Sequence, residues 1–169
     1  MNWLDTVLNF LLPLLSAAVT WFASRWWFKR ELKRSKDCLL CNTIAEYFSD
    51  DQLKFLREWD HGAIFHKKFA YAAHGLTEKL YQQKALIVVH DKELFNKYDV
   101  FLDALRHYSN MLATHTSPST NPDYLTMDVN DFEVTKEKMS QVKAVNDSAN
   151  RVYESYVDLV QFCKKELYL

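Results

Sequence analysis

The chain has 169 residues and a formal net charge of -1. That length suits one compact domain plus a short appendage and excludes two full-sized domains. Five Trp, nine Tyr and eleven Phe argue against extended disorder, while two Gly and three Pro are too few turn residues for a sheet protein.

The charge is unevenly placed. Residues 1–36 hold six basic side chains, Arg25, Lys29, Arg30, Lys33, Arg34 and Lys36, against Asp5 and Glu31. The rest of the chain keeps 15 of the 21 basic and 20 of the 22 acidic side chains. A mildly acidic body argues against a general nucleic-acid surface, and no nucleic-acid partner is expected.

Residues 1–28 read as a transmembrane anchor. Val7 to Ala23 is an uncharged apolar run of 17 residues, at the short end of what spans a bilayer. Trp3 and Leu4 extend it on one side, and Trp26, Trp27 and Phe28 on the other. Arg25 is close enough to the end to reach the headgroups, and Trp21, Trp26 and Trp27 suit an interfacial aromatic belt. The Lys and Arg cluster follows the run, and neither residue precedes it. The expected topology is single-pass in the plasma (inner) membrane, N-terminus outside and body in the cytoplasm. A cleaved signal peptide would have the opposite charge order. A helix lying in the interface would need a strongly charged face, which residues 7–23 lack.

Asp5, Asn9, Pro13, Ser16, Thr20 and Ser24 recur at steps of four and three, so they share one helical face. Asn9, Ser16, Thr20 and Ser24 on that stripe suit self-association in the membrane. The alternative is a short anchor that tolerates weakly polar residues without a partner.

Residues 29–48 read as a basic juxtamembrane helix continuous with the anchor. Its collar of Arg25, Lys29, Arg30, Lys33, Arg34 and Lys36 is both the topology signal and a contact for anionic lipids. Leu40, Ile44, Tyr47 and Phe48 supply an apolar stripe.

Residues 49–169 read as a cytoplasmic, antiparallel helical bundle. Ser49-Asp50-Asp51-Gln52 forms a capping box that opens a helix bearing Leu53, Leu56 and Trp59, with Gly62 ending it. A second helix is expected from about Ala63 to Leu86, with Phe65, Phe69, Ala72, Leu76 and Leu80 on one face. Ile87, Val88 and Val89 form a short link. Asp91 then caps a helix whose Leu94, Tyr98, Phe101, Leu105, Tyr108 and Leu112 keep heptad spacing. Residues 116–130 read as the one extended loop. A last helix begins near Asp131 and spans roughly 50 Å at 1.5 Å per residue. Its expected seam runs through Met139, Val142, Asn146, Ala149, Tyr153, Tyr156, Val160 and Cys163. These seams pack an intramolecular bundle or join subunits, and Asn146 is the residue that would set register in the second case.

Reactive side chains are scattered. Cys38 and Cys41 have the spacing of a zinc or redox pair, but no second ligand pair exists at a suitable distance. They read as small packing residues, and Cys163 reads as a core thiol on the last seam. Three cysteines without a framework spacing point to a reducing compartment. His61, His66, His74 and Glu78 would form a hydrolytic site only if they converged. No glycine-rich phosphate loop or nucleophile elbow occurs. No catalytic residue, cofactor or metal is expected.

The expected fold is all-α, and the expected function is a membrane-tethered, non-enzymatic helical interaction or scaffold protein. Its partners would be the bilayer with its anionic lipids and either a protein or further copies of itself as a homo-oligomer. The alternative is a membrane-perturbing effector whose oligomerisation compromises the bilayer. The layout resembles that of some membrane effectors of phage-defence systems, a likeness of architecture without a shared motif.

Overall fold

The computed structural model describes residues 3–84, 89–127 and 135–167. Within that range the side chains at 3–15, 17, 18, 43, 46, 47, 83, 84 and 167 are outside the description. Five helices carry most of the described chain: α1 Trp3–Tyr47, α2 Asp50–Glu58, α3 Lys67–Lys84, α4 Lys92–His115 and α5 Lys136–Leu167. Three short strands accompany them: β1 Phe65–His66, β2 Ser117–Pro118 and β3 Tyr124–Thr126. The chain divides into two compact units, Met1–Lys36 and Asp37–Leu169, so the larger unit includes the last part of α1.

Local sequence signals place several helix starts. Ser49 Oγ accepts from the Gln52 N–H, and Gln52 Oε1 accepts from the Ser49 N–H at 3.1 Å, the expected reciprocal box. Asp91 Oδ1 accepts from Glu93 N and Leu94 N at 2.8 and 2.9 Å and opens α4. Asp37 adds a cap from elsewhere in the chain. Its buried carboxylate accepts from His90 N at 3.0 Å and Asp91 N at 3.2 Å, placing negative charge at the positive end of α4.

Three features of this region differ from the sequence expectation. The second helix starts at Lys67, because Phe65 and His66 are extended and pair with Leu125 and Tyr124 of β3. The 116–130 loop contains β2 and β3, paired through Ser117 with Thr126 and Pro118 with Leu125, giving the order β1-β3-β2. These pairings are too short to leave an alternating pattern. Lys67 fastens the loop, pairing with Asp123 Oδ1 at 2.9 Å and donating to the Pro122 carbonyl. Gly62 lies in the turn after α2 and does not end the helix, which closes at Glu58. A Cβ at Gly62 would meet Val142 Cγ1 of α5 at 3.1 Å, so the residue allows close approach. The 87–88 part of the linker and the expected start of the last helix at Asp131 lie outside the described residues.

The core of the larger unit is built on α4. Leu94, Tyr98, Phe101, Leu102, Leu105, Tyr108 and Leu112 are all buried. At roughly 1.5–3 kcal/mol per large apolar side chain buried, this face contributes heavily to stability. Leu80 of α3 and Leu40 and Ile44 of α1 belong to the same cluster. Near the start of α4, Lys97 pairs with Asp158 of α5 at 2.7 Å. Farther along, His107 shares a groove with Ser148, so α5 runs antiparallel to α4.

On α5 the core line is Val145, Ala149, Val152, Tyr156, Leu159 and Cys163. It shares Ala149, Tyr156 and Cys163 with the expected seam but replaces the other column. Asn146, Tyr153 and Val160 are half-buried beside the core, Val142 is half-buried, and Met139 is 62% exposed. A four-three repeat can be threaded in two frames that share one column. Burying Val145, Val152 and Leu159 leaves fewer polar atoms to satisfy than burying Asn146 and Tyr153.

The cysteines also depart from the sequence expectation. Cys41 of α1 and Cys163 of α5 form a disulfide across a separation of 122 residues, with Cα atoms 6.4 Å apart. Nothing in local spacing announces this pair, because only the tertiary fold brings these helix positions together.

Candidate functional site

Four polar residues from three parts of the chain meet at His61, in the turn between α2 and β1. The ring is fully buried, with Phe55, Phe65 and Tyr108 around it at centroid distances of 4.9, 5.7 and 5.6 Å. Asn146 Oδ1 of α5 lies 2.9 Å from the His61 backbone nitrogen and 2.8 Å from its Nδ1. Asn146 Nδ2 donates to Asp60 Oδ1 at 3.0 Å, and the Gly62 N–H donates to the same oxygen. Tyr108 Oη of α4 is 2.7 Å from His61 Nε2.

The direction of every bond follows from Asp60. An ionised carboxylate only accepts, so the amide nitrogen of Asn146 faces it and the amide oxygen faces His61. That oxygen receives the Nδ1 proton, which leaves Nε2 to accept from the Tyr108 hydroxyl. His61 is therefore the neutral Nδ1–H tautomer. Burial holds its pKa below the ordinary histidine range, against the opposing effects of Asn146 and Asp60. Asp60 is held below the usual carboxylate range, first by Asn146 and then by the Gly62 N–H. Burial pushes the Tyr108 hydroxyl well above the usual phenol range. With both ring nitrogens of His61 partnered and the ring closed to solvent, this network fastens the α2–β1 turn to α4 and α5.

The other histidines go elsewhere. His66 Nδ1 accepts from Lys68 N, and His74 Nδ1 lies 3.1 Å from Ser109 Oγ with Glu78 4.0 Å from its Nε2. His61, His66 and His74 thus have separate partners. Among the described residues, no group of three or more His, Cys, Asp or Glu side chains is placed to hold a metal ion.

The smaller unit presents a different surface. Along α1, Val19, Trp21, Phe22, Trp26, Trp27, Phe28 and Leu32 are each at least half exposed. Arg25, Lys29, Arg30, Lys33 and Lys36 are exposed beside them, and Arg34 is half-buried. Arg25 lies over the Trp21 ring and Arg30 over the Trp26 ring, with centroid distances of 5.1 and 5.6 Å. Of the polar stripe, Ser16, Thr20 and Ser24 are exposed, with the Thr20 hydroxyl donating to the Ser16 carbonyl at 2.7 Å. The Asn9 side chain lies outside the described residues. Among the described residues, no helix is long and apolar enough to cross a membrane.

Sequence reasoning missed Asp37, Asp60 and the role of His61. The only local sign of the hub was an amide on the expected seam at Asn146. Comparisons with protein-family models, curated proteins and solved structures give no match for this chain.

Proposed function

We propose that the chain is a membrane-tethered, non-enzymatic interaction protein, anchored through the N-terminal part of α1, with its helical body at the cytoplasmic membrane face. One observation carries the proposal. The smaller unit sets Trp21, Phe22, Trp26, Trp27 and Phe28 out toward the surroundings, interleaved with Arg25, Lys29 and Arg30. In water such a face is unfavourable, since covering a large aromatic side chain is worth roughly 1.5–3 kcal/mol. At a bilayer the rings occupy the interface, and each basic side chain near an anionic leaflet adds about 1 kcal/mol. The span itself is assigned to residues 7–23 from their uncharged apolar sequence, and the following basic run sets the body inside.

A second reading rests on Ser16, Thr20 and Ser24. Exposed small and hydroxyl-bearing residues on one face of a membrane helix suit close helix contact. In this reading the anchors gather and perturb the bilayer.

Cross-linking of the full chain in intact membranes separates the two. The tether reading expects function to survive when residues 1–28 are exchanged for an unrelated single-pass anchor. The effector reading expects that exchange, or Ser16→Leu with Thr20→Leu, to abolish both cross-linked oligomers and ion leakage. Proteolysis of the body in intact cells from the outside contradicts the topology in both.

A further inference from the structure

Cys38, Cys41 and Cys163 form one thiol system. The Cys41–Cys163 bond joins the end of α1 to the end of α5, and both residues are closed to solvent at 4% and 2% exposure. Cys38 lies outside the bond, one helical turn before Cys41, half-buried against the same core. Residues three apart on a helix are surface neighbours. The disulfide ties the end of α1, where Leu40 and Ile44 are buried in the same core, to the end of α5.

We propose that Cys38 is the oxidant-accessible thiol of a reversible latch whose closed form is the Cys41–Cys163 bond. This rests on the reading that the body faces the cytoplasm, where a disulfide is a transient, redox-sensing device. The oxidant is a hydroperoxide. The Cys38 sulfur attacks a peroxide oxygen, the O–O bond breaks, and Cys38 sulfenic acid forms with release of an alcohol or water. The sulfur has lost two electrons to the peroxide. Cys41 sulfur then attacks the Cys38 sulfur, the S–O bond breaks, and water leaves as the Cys38–Cys41 disulfide forms. Cys163 thiolate attacks Cys41 Sγ, making the Cys41–Cys163 bond and expelling Cys38 as a thiolate, which takes up the proton Cys163 lost. The net reaction consumes one hydroperoxide and two thiols and yields one disulfide, one water and one alcohol or second water.

Opening retraces the exchange. Cys38 thiolate attacks Cys41 Sγ and frees Cys163, and a dithiol reductant resolves the Cys38–Cys41 bond, ending as its own disulfide. Cys38 thus gives the closed pair a route to solvent that Cys41 and Cys163 lack on their own.

The test uses the full chain in its cell membranes, quenched in acid and labelled with a mass-tagged maleimide. The latch expects three tags on untreated protein, one after a hydrogen peroxide pulse, and three again after dithiothreitol. Cys163→Ser is expected to lose both remaining tags on oxidation by trapping the Cys38–Cys41 bond. Cys38→Ser and Cys38→Ala are expected to close the latch at least about tenfold more slowly, because the buried pair then waits on local opening. Closure at the parental rate in both variants, or two persistent tags in Cys163→Ser, overturns the proposal. Maleimide labelling of inside-out vesicles, read on an engineered surface cysteine in the body, reports the side independently. A body on the outside with its bond already complete overturns the cytoplasmic reading and the latch with it. A body on the inside that ignores peroxide overturns the latch alone.

Discussion

His61 Nε2 and Tyr108 Oη lie 2.7 Å apart in the interior, on two residues that are both closed to solvent. The hydroxyl donates and the imidazole accepts, so protonating His61 removes the acceptor and puts a charge among Phe55, Phe65 and Tyr108.

A loss of stability on mild acidification follows. The folded pKa of His61 lies below its unfolded value, so the unfolded chain binds the proton more readily. The contribution is present above about pH 6.5 and is lost as pH falls through the lowered folded value. The lowered pKa of Asp60 acts in a separate, more acidic window, below the ordinary carboxylate range. Urea midpoints measured from about pH 7.5 to about 5.5 should decline for the parent and stay flatter for His61→Gln. A flat parental profile would show that the ring titrates unhindered.

Asn146→Leu should destabilise the body by about 2–4 kcal/mol, since it strips partners from His61 and Asp60 at once. Met139→Leu, at a 62% exposed position seven residues earlier on α5, should stay within about 0.5 kcal/mol. Chemical denaturation of both variants compares the hub with the expected seam. Equal effects would mean that Asn146 fastens nothing.

Asp37→Ala should cost about 1–3 kcal/mol by removing a charged acceptor from two backbone donors at the start of α4. Hydrogen exchange should show the loss as faster exchange of the His90 and Asp91 amides, with the Ser109 amide little changed. Uniformly faster exchange along α4 would point to a general packing defect.

Leu105→Ala should cost about 2–5 kcal/mol, because Leu105 is wholly buried at the heart of α4. Val100→Ala on the same helix, 62% exposed, should be nearly neutral. Thermal unfolding of the two variants checks which face of α4 is the core.

The helical class was legible because few residues interrupt the chain and α4 carries a clean heptad line from Leu94 to Leu112. Ser49 and Asp91 were legible as caps because capping is a local interaction between residues two or three apart. The column shift on α5 was hidden because spacing alone admits two frames, and only the partner helices choose between them. Asp37, His61 and the Cys41–Cys163 pair were hidden for a related reason. Their partners are 53, 85 and 122 residues away, and no short pattern encodes such contacts.

The proposed attachment to a membrane rests on the exposed aromatic and basic face of α1. The most direct measurement is alkaline carbonate extraction of membranes from cells expressing the full chain. The protein should stay in the membrane pellet, and replacing Leu11, Leu12, Leu14 and Leu15 with Ser should release it. Recovery of the unaltered chain in the carbonate supernatant would contradict the claim.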